Sequence, residues 1–397
     1  TIDSLLKILK KGSHSEQFER YIMLSDEYSN SDLNKAEYYS YKALNKARLV
    51  KDDSFIALSY NNIGNIHQYK SELDSALFFH KKTLRLRPSI KDTIGLADTY
   101  NNIGIVYDTK GQYPDALKYY FKALNFYERK GDISKQAMTT TNIGIVYKAQ
   151  KEYNKALYYY KRAYELYLKT QNEFGKTTSA GNLGSILINF KQYQESLKYS
   201  EIARKGFKQL GYNRYEVYPI SNIACAYDSL HQFEFANKKY AEAIQLFEKY
   251  ENSYQVAEIS NAYANCLIKQ KKFNESILQS KKALVFATKA EANVLKVQSY
   301  KNLSSAYAKN RNFELANTYA NLYSIGKDSL FANEKTKVIL ELETKYQTEK
   351  KEKLLLQKEA EAKQKNILLL GISLLAFFIA LIGFLIYRQQ KLKNNQQ

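Results

Sequence analysis

The triplet Asn102-Ile103-Gly104 recurs every 40 residues, and that fixed interval constrains the fold more than any other feature of the chain. Its partners are Asn62-Ile63-Gly64, Asn142-Ile143-Gly144 and Asn182-Leu183-Gly184, with looser copies at Asn222-Ile223-Ala224 and Asn302-Leu303-Ser304. The same phase gives Ala262-Tyr263-Ala264 and, at the start, Ile22-Met23-Leu24. Eight copies without slippage mean that one supersecondary unit stacks on itself, as in a solenoid.

A second half follows at constant offset. Eleven residues after the Asn position stands a bulky residue (Leu33, Leu73, Tyr113, Tyr153, Tyr193, Phe233, Phe273, Phe313). Fourteen after it stands a small one (Ala36, Ala76, Ala116, Ala156, Ser196, Ala236, Ser276, Ala316). A further small residue follows seven later at Ala43, Ala123, Ala163, Ala203, Ala243 and Ala283. Spacings of three, four and seven share one helix face, and small side chains there let another helix approach closely. The unit is therefore two antiparallel helices: helix A around Asn-Ile-Gly, a turn such as Thr109-Lys110-Gly111-Gln112, and helix B from about Pro114.

Tyr100, Ile103, Gly104, Tyr107, Gly111, Tyr113, Ala116, Tyr120 and Ala123 fall where the tetratricopeptide repeat (TPR) signature has its aromatic, Leu, Gly, Tyr, Gly, Tyr, Ala, aromatic and Ala. The chain thus resembles that family in a 40-residue form, over roughly residues 18 to 330. It departs from the pattern in having no Trp, in carrying the closing Pro only at Pro88, and in losing the Gly from the first copy and the last three. The expected fold is all-α, a superhelical solenoid of about eight helix-turn-helix repeats, followed by a long charged helix and one transmembrane helix. Expected boundaries are a capping helix in 1–17, the solenoid in 18–332, the charged helix in 333–366, the span in 367–387 and a short basic tail in 388–397.

What the resemblance implies is binding, since in this family helices A line a concave groove that grips a peptide or a partner helix. The Asn ladder (Asn62, Asn102, Asn142, Asn182, Asn222, Asn302) falls at a groove position that family members use on peptide backbones. Two roles stand open for it: donor and acceptor contacts to a ligand, or pairing with the adjacent repeat in service of the fold. Members that clamp a terminal carboxylate place bases along the groove. Here the positions one and four before the ladder hold Asn61, Asn101, Thr141, Ser221, Leu58, Asp98, Met138 and Thr178, with Lys301 the lone base, so a polar, tyrosine-edged groove is expected instead.

No catalytic constellation is visible. His14, His67, His80 and His231 form no ligand spacing, and there is no phosphate-cradling glycine loop or nucleophile elbow. Neither an enzyme, a cofactor nor a metal site is expected. Cys225 and Cys266 lie in helices A of consecutive copies and read as buried small hydrophobes rather than a disulfide. The formal charge of +20 is spread over every repeat, which describes a solvated basic surface and not a nucleic-acid interface.

After about Phe331 the period stops. Residues 333–366 are rich in Lys and Glu and free of Gly and Pro, a long solvated helix that is at most a weak coiled coil. Ile367 to Tyr387 is a run of 21 residues without a charge, long enough to cross the hydrocarbon core of a bilayer. Ser373, Ala376, Ala380 and Gly383 form a small-residue stripe along it that suits packing of two such helices, hence a homodimer. Arg388, Lys391 and Lys393 follow without an acid, favouring a cytoplasmic C-terminus and repeats in the periplasm. A start at Thr1 fits the loss of a leader. This layout resembles the sensor half of Bacteroidetes-type membrane regulators, in which a histidine kinase or a LuxR-type helix-turn-helix domain follows the span. Any such output domain is expected beyond Gln397 or on a partner. The competing expectation is a tail-anchored cytoplasmic scaffold for assembling protein complexes.

Overall fold

The computed structural model describes residues 2–9 and 11–330. The chain divides into two compact units, Thr1–Ala316 and Asn317–Gln397. In the second, residues 317–330 are helical. The charged segment 333–366, the run 367–387 and the tail 388–397 lie outside the described residues. Among the described residues no helix is long and apolar enough to cross a membrane.

The first unit is built from helices only, among the described residues. It opens with α1 (Ile2–Ile8), which buries none of its own side chains. Helices A are α2 (His14–Tyr28), α4 (Asp53–Tyr69), α6 (Thr93–Thr109), α8 (Ile133–Ala149), α10 (Glu173–Asn189), α12 (Val217–Ser229), α14 (Ser253–Lys269) and α16 (Asn293–Lys309). Helices B between them are α3 (Leu33–Val50), α5 (Leu73–Leu86), α7 (Tyr113–Lys130), α9 (Tyr153–Leu168), α11 (Tyr193–Gln209), α13 (Phe233–Lys249) and α15 (Phe273–Lys289). The first helix A starts at His14, inside the segment expected to serve as cap, because Ser13 and Glu16 close a reciprocal capping box there.

Local chemistry sets these boundaries. Asp52, Asp92, Asp132, Asn172 and Asn252, one period apart but for one gap, accept hydrogen bonds from the first backbone N–H groups of α4, α6, α8, α10 and α14. Seven of the eight A-to-B turns place one residue in the left-handed region: Ser71, Gly111, Lys151, Lys191, His231, Lys271 and Arg311, with φ between 57 and 71°. Only one of the seven is a glycine, so the sequence accepts some backbone strain at the other six.

The small-residue positions are where the helices meet. Ala43, Ala123, Ala163, Ala203, Ala243 and Ala283 have no exposed surface, nor do Ala36, Ala76, Ala116, Ala156, Ser196, Ala236 and Ser276. Where serine replaces alanine, its hydroxyl donates back to helix A, Ser196 to the Gly184 carbonyl at 2.6 Å and Ser276 to the Ala264 carbonyl at 2.9 Å. Three of the four motif glycines answer large residues sixteen positions on, and the fourth, Gly184, answers Ser200. A Cβ on Gly104 would lie 2.6 Å from the Tyr120 ring, one on Gly144 2.7 Å from Tyr160, and one on Gly64 2.7 Å from His80. Those contacts leave no space for a methyl group, which is why the motif needs glycine there.

One helix A departs from the pattern. At the capping position of the sixth copy stands Tyr212, and α12 begins only at Val217. Its neighbours begin within one residue of their caps. Pro219 explains the delay, because proline has no N–H and its ring collides with the carbonyl four residues back, so it is tolerated only in a first helical turn. The released segment carries Tyr212 and Tyr215 onto Phe174 and Phe207, with centroid separations of 4.9 Å for Phe174–Tyr212 and 5.7 Å for Phe207–Tyr215.

Candidate binding groove

The face made by helices A carries the Asn ladder, and the ladder has two kinds of rung. In the first kind each Asn amide reaches back 41 residues to the preceding helix A. Asn102 donates to the Asn61 side-chain oxygen at 3.1 Å and to that of Asn65 at 3.1 Å. Asn142 donates to Asn101 at 3.4 Å. Asn302 donates to both the backbone and side-chain oxygens of Asn261, at 3.0 and 3.2 Å. Asn62 makes a related contact to Ser25 and Asp26. These amides are committed to joining repeats.

At Asn182 and Asn222 the rung is open. The residue 41 before Asn222 is Gly181, which offers no side chain. The residue 41 before Asn182 is Thr141, whose hydroxyl donates within its own helix to the Ala137 carbonyl. In the next copy the ladder residue itself is lost, at Ala262. Neither Asn182 nor Asn222 has a side-chain partner among the described residues, and both line a groove of about 560 Å³. Of the six ladder residues, the structure therefore brings two together at a site and places four in the joints between repeats.

Gly181 reports on the purpose of that space. A Cβ there would meet only Ala203, at an ordinary 3.5 Å. Unlike Gly104 and Gly144, it is not demanded by a close approach. A glycine in mid-helix costs about 1 kcal/mol relative to alanine, so here the chain gives up stability and keeps a wider groove floor.

Four helices build the walls. Lys148 comes from α8, Thr178, Asn182 and Ser185 from α10, Ser221, Asn222 and Cys225 from α12, and Gln255 and Glu258 from α14. Phe207 from α11, Tyr215 from the segment before the shortened α12 and Tyr218 from its first turn add an aromatic edge. The lining thus mixes polar and aromatic groups, which suits a peptide, whose amides need partners while its side chains need apolar surface.

Electrostatics single out two groups. The Lys148 ammonium donates to the Ser185 hydroxyl at 2.7 Å. Burial lowers its affinity for a proton and Glu258 partly restores it. Glu258 shifts the other way, raised by burial and drawn back by Lys148 and a hydrogen bond from Gln255. Its side chain keeps considerable exposed surface, so the desolvation is that of a carboxylate inside a groove rather than within a core. Cys225 accepts a hydrogen bond from the Tyr240 hydroxyl at 3.6 Å, and burial pushes its thiol up to about 11. Cys266 is pushed up to about 12, and both cysteines are free. Neither is a thiolate at neutral pH. Among the described residues no cluster of three or more His, Cys, Asp or Glu side chains could hold a metal ion.

Sequence reasoning located the ladder but missed Lys148 and Glu258. Lys148 stands six residues after its ladder position, outside the two offsets inspected for bases. Glu258 stands four before Ala262, at an offset that did merit inspection, and a search for acids as well as bases would have found it.

Residues 95–169 match the tetratricopeptide repeat family model. The fold is a TPR-like solenoid. It is similar to the apo form of the quorum sensor NprR from B. thuringiensis, with a TM-score of 0.56 at 18% identity over 82% of this chain and 97% of that one. The Rap conjugation gene regulator of plasmid pLS20, solved in complex with the Phr* peptide, gives 0.53 at 14% identity over 83% and 95%. A signal transduction ATPase with a tetratricopeptide repeat sensor, from Pyrococcus horikoshii, gives 0.60 at 20% identity, covering 71% of this chain and 44% of that one. At such identities the likeness shows the fold alone. None of the curated proteins matches this TPR-like chain.

Proposed function

We propose that this protein is a membrane-anchored peptide-binding TPR module that serves as the extracytoplasmic sensor region of a signal-transduction system. The observation that carries the binding half is the open rung: Asn182 and Asn222 keep free amides over a floor that Gly181 holds wide. The pLS20 regulator, of similar fold, is solved with a peptide, which supports the same ligand class here. Anchoring rests on the uncharged run from Ile367 to Tyr387, and orientation on the basic residues that follow it. The stripe Ser373, Ala376, Ala380 and Gly383 would bring two spans together, so that ligand capture in one pair of grooves could be read as a change between neighbouring tails.

The test of binding uses the full chain in lipid nanodiscs, exposed to a random short-peptide library, with retained peptides read by mass spectrometry. The wild type should retain a defined subset. Gly181→Leu, which fills the groove floor, should lose that subset while its thermal midpoint holds or rises; unchanged retention by this variant would remove the groove from the account. Orientation is tested with Cys225 and Cys266 replaced and one reporter cysteine placed at Lys335. Labelling of intact cells by a reagent that cannot cross the inner membrane supports the periplasmic placement. Protection until that membrane is broken would favour a cytoplasmic scaffold.

A further inference from the structure

The two charged side chains of the groove are set apart from every other ion pair in the repeats. Elsewhere, charges between repeats meet directly: Lys110 and Asp74 at 2.6 Å, Lys135 and Asp98 at 2.7 Å, Lys269 and Asp228 at 2.8 Å, Lys282 and Glu248 at 2.7 Å. Lys148 and Glu258 stand on α8 and α14, the two outer helices of the four that form the groove, and they do not pair. Among the described residues, no carboxylate lies within 4.0 Å of the Lys148 ammonium. Lys148 is held by the Ser185 hydroxyl at 2.7 Å, while Glu258, one turn after Gln255 on α14, keeps its carboxylate exposed to the groove. A half-buried ammonium without a carboxylate partner and an exposed carboxylate line one groove, so a ligand carrying the complementary charges at its two ends would find a partner for each.

We propose that the groove binds a short peptide by both of its free termini, the carboxylate on Lys148 with Ser185 and the ammonium on Glu258 with Gln255. Between the ends, Asn182 and Asn222 each offer a donor and an acceptor to the peptide backbone. Tyr215 and Tyr218 receive its side chains. The volume supports a ligand of a few residues, since 560 Å³ lies within the range of small-ligand pockets and is far below what a long extended segment fills. Both termini can be read only if the ligand is short and released, which makes a processed peptide the matching chemical class. This inference rests on the peptide-binding reading above and adds to it what the ends of the peptide must be.

The test compares four libraries of random tri- to pentapeptides on the full chain in nanodiscs: both ends free, N-acetylated, C-amidated, and blocked at both ends. The free library should be retained best, and blocking either end should lower retention by about tenfold or more, the scale expected for losing a hydrogen bond to a charged group. Lys148→Gln should abolish the discrimination against C-amides and leave that against N-acetyl groups. Glu258→Gln should do the reverse, with circular dichroism melts confirming that both variants fold. Equal retention of all four libraries overturns the two-terminus proposal while leaving peptide binding intact. Discrimination that survives both substitutions overturns the assignment to these residues. Retention of none of the libraries by the wild type removes this inference and the peptide reading together.

Discussion

The joints between repeats on either side of the groove and those that form it use the same residue type to opposite effect. At Asn142 and Asn302 the amide finds an asparagine 41 residues earlier and closes a rung. At Asn222 it finds Gly181 and stays open. The difference teaches that a repeat protein can make a site by subtraction. Removing one partner from a periodic contact frees an amide, and widening the floor beside it gives that amide something to face.

The contrast is broken most severely at a closed rung. Asn261 donates to the Leu295 carbonyl at 3.0 Å and accepts from Ser299 and Asn302 at 3.1 and 3.2 Å, all in buried surroundings. Asn261→Ala strands these groups and should cost about 3 kcal/mol, read from the shift of a urea unfolding curve. Asn182→Ala and Asn222→Ala, at open rungs, should each fall within about 0.5 kcal/mol of wild type in the same measurement.

Acid should separate the two regions almost as strongly. His80 packs against Gly64 in the closed part of the array, has no exposed surface, and neither ring nitrogen has a partner. Burial holds its imidazole at about 4, so it folds as the neutral form. The unfolded chain takes up a proton near 6.5 and the folded chain does not until about 4. This stability is therefore fully present above about pH 6.5 and declines as pH falls through that window. The loss approaches about 3 kcal/mol at pH 4. Hydrogen exchange at pH 5 should show α4 and α5 opening before α10 and α12. His80→Tyr, which copies Tyr120 over Gly104, should erase the difference.

Two glycines of one helix face sharpen the comparison further. Gly144→Ala drives a methyl into the Tyr160 ring and should destabilise by about 2 kcal/mol. Gly181→Ala meets only ordinary contact and should stabilise by about 1 kcal/mol through helix propensity. Opposite signs in thermal melts would separate packing glycines from a groove glycine. The smallest effect is expected at the turns, where Lys151→Gly relieves a φ of 60° and should add about 0.5 kcal/mol.

Much of this was legible before any coordinates. A period of 40 residues fixed the stacking unit, because only a repeated pair of helices keeps small residues at Ala116, Ala123 and their equivalents on one face. Each of those alanines is buried. The two fates of the Asn ladder were harder to read, since every copy looks alike until the residue 41 earlier is considered, and only the stacking of neighbouring helices A says that 41 is the relevant distance. The late start of α12 was written in Pro219 and in the absence of an Asp or Asn at position 212, but its consequence, an aromatic edge on the groove, depends on where the freed segment lands. Lys148 and Glu258 are 110 residues apart and meet one cavity through the course of four helices, which no local pattern contains.

The most direct test of the central claim is calorimetric titration of one retained peptide into two double variants of the full chain. Asn182→Ala with Asn222→Ala should weaken binding by about tenfold or more at an unchanged thermal midpoint. Asn102→Ala with Asn142→Ala should lower the midpoint and leave the affinity of the folded protein as it was. Affinity lost with the second pair and kept with the first would contradict the account.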